Sequence, residues 1–386
     1  MDRLEPHRRT VIEAIKSLGE ERVPLGEANG RFLAAPALAA RAAPPHTCSA
    51  MDGYALRHED VPGPVELLVK GILYAGDLPG EPLGPGEAAR IFTGAPLPAG
   101  ADAVVQEEAT EPRGGRVLVR HRPRAGENVR AAGEDVPAGG EALPAGTRVG
   151  PRQAALLEAV GCTELRVHRR VRVALLATGD EVVRGRTPDS NGAALAGLLS
   201  GCGFEVRRGA VGDDAAALRE AIAGALSVAD ALVTLGGVSV GEKDLVAGAL
   251  RDLGAEIRVH GVPMKPGKPF LFAVLGGKPV LGLPGSPSAC LVAFEVFARP
   301  ALLALAGAGR IDRPRAWLPI AEASGGRPGR SRFLWASLTP DGRVRPVGRD
   351  AAQVRGPALA QALVRIAEGT GDVPEGERVE TWLLEE

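Results

Sequence analysis

Aromatic side chains are scarce in this chain of 386 residues: Phe, Trp and Tyr together make up 3% of it. That excludes an extended base-stacking surface for single-stranded nucleic acid. An excess of one charge is missing too. Lys and Arg number 46 against 47 Asp and Glu, a formal net charge of −1, so no polyelectrolyte partner is implied. The four cysteines (Cys48, Cys162, Cys202, Cys290) are scattered, with no pair at metal-ligand spacing, and the six histidines form no zinc cluster. Neither a signal peptide nor a long apolar span is visible. Disulfides and a membrane are therefore not expected, and the expected compartment is the cytoplasm. Motifs are missing as well. There is no GxxxxGK[ST] and no GxGxxG, which disfavours an ordinary NTPase and a dinucleotide enzyme. Ser239 and Ser286 lack a nucleophile elbow, which disfavours a Ser-His-Asp hydrolase.

One shortage is a pointer. The chain has 6 Lys against 40 Arg, and four of those six (Lys243, Lys265, Lys268, Lys278) fall between Ala229 and Ala289. Lys278 leads into an apolar run rather than out of one and reads as a surface cation. Lys265 and Lys268 stand in a Pro-stiffened KPGK segment, where a compact ammonium does work that a planar guanidinium does not. The plain alternative is a pair of solvated surface lysines.

Along the chain, Leu4, Val11, Ile12, Ile15 and Leu18 predict an amphipathic helix closed by Gly19. A second short helix is expected after Val23, then a Pro-rich linker. From Pro44 the texture is β-rich, with short runs punctuated by Gly and Pro. Helical patterning returns from Val136 to His168, most clearly in RQAALLEAVG. From Val171 to about Ala308, strands and helices alternate. Ala231–Leu235, Phe270–Leu275 and Val280–Leu283 read as buried strands, and this spacing predicts a doubly wound, largely parallel sheet. The tail reads as a small β domain with one helix over Pro357–Ala367. The fold class expected is α/β multidomain: a discontinuous helical/linker domain (1–44 and 137–168), an inserted β-rich domain (45–136), the α/β domain (169–308) and a C-terminal β domain (309–386).

In such a sheet, ligands collect beyond the carboxyl ends of the strands. Loops at Gly236–Gly241 and Leu283–Pro287 belong on that rim, with the KPGK segment close by. Asp180 and Glu181, Asp213 and Asp244 follow three strands, with Asp213 and Asp244 placed at the ends of neighbouring ones. Acidic beside basic residues suit Mg²⁺ with phosphates: hard oxygens hold the ion and ammoniums neutralise the rest. Asp189 and Asp214 are explained by helix capping alone. Asp52 could be a turn carboxylate, Thr93 a turn residue, and Glu134-Asp135 a solvated acidic turn.

Eight motifs then occur in one order: SAMDGYA (Ser49–Ala55), TGAPLPAGADAVV (Thr93–Val105), GENVRAAGED (Gly126–Asp135), TGDE (Thr178–Glu181), DSN (Asp189–Asn191), GGVSVGEKD (Gly236–Asp244), KPGKP (Lys265–Pro269) and GLPGSP (Gly282–Pro287). Over nearly its whole length the chain resembles the molybdopterin molybdotransferases, the MoeA and gephyrin E-domain family. It departs from the pattern at Gly348–Gln353, where a Gly- and Ser-rich turn is usual, and at Cys48, where Asn is common. The resemblance implies transfer of molybdenum from molybdate to adenylylated molybdopterin, yielding molybdenum cofactor and AMP in a Mg²⁺-dependent step. It implies catalytic roles for Asp52, Thr93, Asp135, Glu181, Asp213, Asp244, Lys265 and Lys268. Glu181, Asp213 and Asp244 would be the metal ligands, and Gly236, Gly237, Ser239, Pro284, Gly285, Ser286 and Pro287 the substrate and oxyanion contacts. It implies a homodimer with a cleft shared between subunits, and a molybdopterin adenylyltransferase as candidate partner. Two alternatives stay open: an adenylyltransferase, whose single domain resembles Arg170 to Ala308, and a non-catalytic scaffold.

The lysine argument yields a charge-preserving test. Lys268→Arg should fold and bind molybdopterin, yet need markedly more molybdate for half-maximal rate, because a planar fork replaces a point charge. A wild-type molybdate dependence would make the lysine a generic cation.

Overall fold

The structure, a computed structural model, describes residues 3–238, 245–325, 329–348 and 353–384. Helix α1 (Leu4–Glu13) buries Leu4 and Val11 in the core of the α/β sheet. It ends before Gly19, although Ile15 and Leu18 still pack on that core. The second helix expected after Val23 does not form. Glu20–Pro24 is a strand, β1, followed by a single 3₁₀ turn at Leu25–Glu27. Its partner is Glu164–His168, far along the chain. A pairing of that range leaves no trace in local periodicity, which is why the strand was not expected.

An inserted sheet comprises β2 (Gly53–Leu56), β3 (Val65–Leu73), β4 (Glu87–Ile91), β5 (Ala103–Gln106), β6 (Thr110–Arg113) and β7 (Arg116–Val119), in the order β5-β2-β4-β3-β7-β6. Strand β2 is buried throughout, and Gly53 fits where no other residue would: a Cβ there would lie 2.0 Å from the Val105 carbonyl oxygen. Gly53 pairs with Ile91, so the SAMDGYA turn meets the loop that begins at Phe92. Helix α2 (Pro151–Ala159) and β8 (Glu164–His168) bring the chain back to β1. Val23, Leu33, Val149, Leu157 and Val167 share one apolar cluster.

Strands and helices then alternate: β9 (Arg172–Thr178), α3 (Asp180–Val183), α4 (Ser190–Gly201), β10 (Glu205–Val211), α5 (Ala215–Val228), β11 (Ala231–Leu235), α6 (Leu245–Asp252), β12 (Glu256–His260), β13 (Leu271–Leu275), β14 (Lys278–Leu283), α7 (Pro287–Ala293) and α8 (Arg299–Leu305). The sheet order is β10-β9-β11-β14-β13-β12. Its first four strands are mutually parallel, and β13 runs antiparallel to both neighbours. This is the doubly wound, largely parallel sheet that the pattern predicts, with one reversed strand. Alternate residues feed opposite faces. Leu175, Val233 and Leu281 pack on the side of α7 and α8, while Leu176, Leu232 and Val280 pack with α5 and α6.

The helical pattern that the sequence carries from Ser288 to Leu305 forms as Pro287–Leu305, and it is also a long apolar span, which the sequence was not expected to contain. It forms 19 helical residues of mean hydropathy 1.7, with a π turn at Phe294–Ala298 joining α7 to α8. By length and composition it could cross a membrane, but 89% of it is buried here, so its apolarity is that of a core helix. Lys278 also differs from expectation. Its ammonium donates to the carbonyls of Leu226 and Ala229, closing the C-terminal end of α5 rather than facing solvent as a surface cation.

The C-terminal sheet holds β15 (Arg315–Pro319), β16 (Ser331–Leu338), β17 (Ala362–Ile366) and β18 (Arg378–Leu383), with α9 limited to Arg355–Leu359. The expected helix over Pro357–Ala367 therefore stops early. Ala360 turns extended, and Ala362–Ile366 becomes a central strand between β16 and β18, mostly buried. Tertiary pairing overrides the local pattern there. Met264–Lys265 pairs with Ser331–Arg332 of β16, tying the KPGK segment to this sheet.

At the sheet end opposite the candidate site, Asp230 is 5% exposed. It accepts hydrogen bonds from the guanidinium of Arg172 (3.0 and 3.1 Å), that of Arg169 (2.9 and 3.1 Å) and the Arg172 backbone N–H (2.9 Å). Burial opposes ionisation, but the arginine and backbone donors outweigh it and hold the carboxyl well below its ordinary range. Asp230→Asn should cost about 2–3 kcal/mol in urea unfolding, less than a fully buried pair because both guanidiniums are partly solvated. Because the folded value is depressed, the wild-type advantage is complete above the unfolded value of about 4 and fades as pH falls below it. Equal stability of the two proteins at neutral pH would refute this.

Candidate active site

The carboxyl ends of β9, β10, β11 and β14 face one rim, and their loops enclose a cavity of about 420 Å³. Thr178, Gly179 and Glu181 line it after β9, Asp213 after β10, Gly236 and Gly237 after β11, and Pro284, Gly285 and Pro287 after β14. The backbone comes close here because glycine allows it. Gly236 and Gly237 have φ of +93° and +69°, and Cβ atoms on them would lie 3.0 and 2.9 Å from the Thr178 hydroxyl. That hydroxyl donates to the Leu235 carbonyl at 3.3 Å. Asn191 donates from Nδ2 to the Gly285 carbonyl at 2.8 Å, tying the start of α4 to the last loop.

The acidic residues divide into held and open. Asp189 caps α4 by accepting from Gly192 N–H at 2.8 Å and pairs with Arg208 at 2.7 Å. Asp214 caps α5 in the same way. Asp213 and Asp180 clasp each other through backbone donors, Asp213 N–H to Asp180 Oδ1 at 3.2 Å and Asp180 N–H to Asp213 Oδ2 at 3.4 Å. Glu181 lies against Gly179 on the cavity wall. Asp213 and Glu181 leave neighbouring strands, but Asp213 and Asp244 do not: β9 lies between β10 and β11. The expectation of neighbouring strands is corrected because the order reverses at β9. Asp244 and Ser239 lie outside the described residues.

Among the described residues, no three Asp, Glu, His or Cys side chains form a metal-holding group. Two carboxylates on a rim still suit Mg²⁺, which commonly takes one or two from protein and the remaining ligands from phosphate and water.

Lys265 and Lys268 are exposed, have no side-chain partner among the described residues and do not line the cavity, although the adjacent Pro269 does. Gly267 between them has φ of +101°, and a Cβ there would strike Met264 at 2.3 Å. Ser286 stands at the N-cap of α7, outside the lining set.

Asp52, Thr93 and Asp135 are elsewhere, on and beside the inserted sheet. The pairing of β2 with β4 joins the first two: Asp52 Oδ1 accepts from both the N–H and the hydroxyl of Thr93, each at 2.7 Å. These bonds, the backbone one foremost, lower the Asp52 pKa from its ordinary value and keep it ionised. Asp135 is gripped by Arg130 at 2.7 Å, with Glu134 on the same guanidinium. The acidic turn is thus an ion-pair cluster rather than freely solvated. Sequence reasoning missed Thr178 and Asn191 as wall residues, although both stood inside motifs. It also missed an exposed stack of Tyr74 on Phe92 beside Thr93, which only the scarcity of tyrosine could have flagged. A larger cavity, about 570 Å³, is lined by Arg148, Arg299, Arg310 and Asp312. None of the expected site residues reaches it, so size alone does not mark the site.

Family models match three stretches: the MoeA N-terminal region (domain I and II) over residues 3–161, a probable molybdopterin binding domain over 174–304, and the MoeA C-terminal region (domain IV) over 319–384. The chain belongs to the MoeA family. It is 35% identical to the molybdopterin molybdenumtransferase 2 of Mycobacterium tuberculosis, with 100% of each chain covered. It is 40% identical to the molybdopterin molybdenumtransferase of Nostoc sp., over 82% of this chain and 77% of the relative. The fold superposes on a molybdopterin biosynthesis MoeA protein of Pyrococcus horikoshii with a TM-score of 0.84 at 26% identity, covering 98% of both chains. In this MoeA chain, therefore, the described rim falls in the molybdopterin-binding match and the Asp52–Thr93 pair in the N-terminal one.

The Asp52–Thr93 pair makes a direct prediction. Thr93→Val removes the hydroxyl and keeps the backbone donor, so the Asp52 carboxyl should titrate higher than in wild type, part of the way to its ordinary value. Carboxyl NMR titration reads this, and an unmoved midpoint would remove the hydroxyl from the account.

Proposed function

We propose that this protein is a molybdopterin molybdenumtransferase of molybdenum cofactor biosynthesis, converting adenylylated molybdopterin and molybdate to molybdenum cofactor and AMP. The observation that carries the reading is the convergence of Glu181, Asp213, Gly236, Gly237, Pro284, Gly285 and Pro287 on one cavity. It falls in the stretch matched by a probable molybdopterin binding domain.

The substrates are a pyrophosphate diester and a tetrahedral dianion. Gly236, Gly237 and Gly285 leave room for phosphate oxygens to approach the backbone. Glu181 and Asp213, with Asp244, would hold Mg²⁺. When bound, that ion would neutralise charge on the pyrophosphate oxygens. Lys265 and Lys268 offer fixed positive charge to molybdate, unquenched by any carboxylate among the described residues. Asp52, kept ionised by Thr93, accepts hydrogen bonds from the substrate.

Asp52, Thr93 and Asp135 do not line the cavity of their own chain. The reading therefore includes a homodimer, in which the inserted sheet of one copy completes the cleft of the other. A molybdopterin adenylyltransferase would supply the substrate.

Purified protein should release AMP from adenylylated molybdopterin when molybdate is added. An adenylyltransferase would require ATP instead, and a scaffold would release nothing. Asp52→Asn and Lys268→Ala should each abolish release, and mixing them should restore part of it, because hybrid dimers hold one intact cleft. No recovery despite demonstrated subunit exchange would sink the shared cleft.

A further inference from the structure

We propose that Tyr74 and Phe92 form a stacking platform for a flat heterocyclic ring of the substrate, a recognition site on the inserted sheet and outside the rim cavity of its own chain. This rests on the molybdenum-insertion reading for the identity of the ligand, and on geometry for the site. Tyr74 is 53% exposed in a chain that has only two tyrosines. Its ring lies 4.9 Å from that of Phe92 with the planes 8° apart. The Arg90 guanidinium stands 5.4 Å from the Phe92 ring and is fixed by Glu107 at 2.9 Å. The Tyr74 backbone is fixed too, its N–H donating to Asp77 Oδ2 at 2.7 Å. An aromatic surface is thus assembled before any ligand arrives, which lowers the ordering cost of binding.

Phe92 runs directly into Thr93, which holds Asp52 through Oδ1 only. Asp52 Oδ2 has no partner among the described residues. An aromatic pair whose Phe92 directly precedes the residue holding this carboxylate suits a ring whose edge carries exocyclic N–H donors. Pterin and adenine both have such an edge, and stacking tolerates either. An apolar protein partner would instead leave the carboxylate desolvated and unpaired, which is costly.

The test uses the full-length protein and its Tyr74→Ala, Tyr74→Phe and Asp52→Asn variants. Each is titrated with 6-hydroxymethylpterin, followed by its fluorescence, and separately with AMP by calorimetry. Tyr74→Ala should weaken one of the two rings about tenfold, with an unchanged melting temperature because the side chain is exposed. Tyr74→Phe should retain affinity, and Asp52→Asn should weaken the same ring. Loss in the pterin arm assigns the pterin; loss in the AMP arm assigns the adenine. Unchanged affinity for both rings in Tyr74→Ala overturns the platform. So does a Tyr74→Ala protein whose only change is its oligomeric state, since a second copy would then be the occupant. Neither titration needs molybdate or turnover, so a failure of AMP release and a failure of the platform are read separately.

Discussion

Gly236 and Gly237 cannot carry side chains without collision, and the rim depends on that. A Cβ on Gly237 would sit 2.9 Å from both the Thr178 hydroxyl and a Val246 methyl. Three strand ends therefore meet with backbone against side chain: β9 at Thr178, β11 at the two glycines, and β14 at Gly285, which Asn191 ties to α4. The cavity wall offers backbone at Gly236, Gly237 and Gly285 and the polar side chains of Thr178, Glu181, Asn191 and Asp213, beside apolar Val182, Leu235 and Val238. Such a surface suits phosphate and oxyanion chemistry better than an apolar ligand.

Charge is apportioned by residue type. Arginine does structural work: Arg169 and Arg172 hold Asp230, Arg313 holds the buried Glu295, Arg208 holds Asp189, and Arg130 holds Glu134 and Asp135. The bidentate guanidinium fits these carboxylates and fixes strand and helix ends. Among the described residues, Lys265 and Lys268 are left out of this network, on a segment stiffened by proline and braced against the C-terminal sheet. A cation that is already paired has little to offer a passing anion. An unpaired one, held on a braced loop, keeps its charge for a ligand.

Most of the expected site residues divide between the α/β sheet and the inserted sheet, with Lys265 and Lys268 on a segment braced against a third sheet. One sheet presents the glycine rim and two carboxylates; the other presents an ionised Asp52, a positioning Thr93 and an aromatic pair. The family models draw the same division along the chain, with the molybdopterin-binding match on one side and the N-terminal region on the other.

The sequence by itself determined the alternating core, the strand-end loops and the order of the motifs. Buried strands and glycine turns have local signatures that survive without a structure. It also marked Lys265 and Lys268, because a rare residue in a stiff loop is visible in composition. What it could not determine was anything decided by pairing at a distance. β1 needed β8, the strand Ala362–Ile366 needed neighbours on both sides, and Lys278 needed the end of α5 before their roles were defined. The same holds in the site. The placing of β9 between β10 and β11 decided which carboxylates are neighbours, and the register of β2 on β4 decided that Asp52 would meet Thr93. Local sequence fixes φ, ψ and amphipathic period, whereas partner and register are set by the total buried surface of the whole chain, which only the tertiary fold contains.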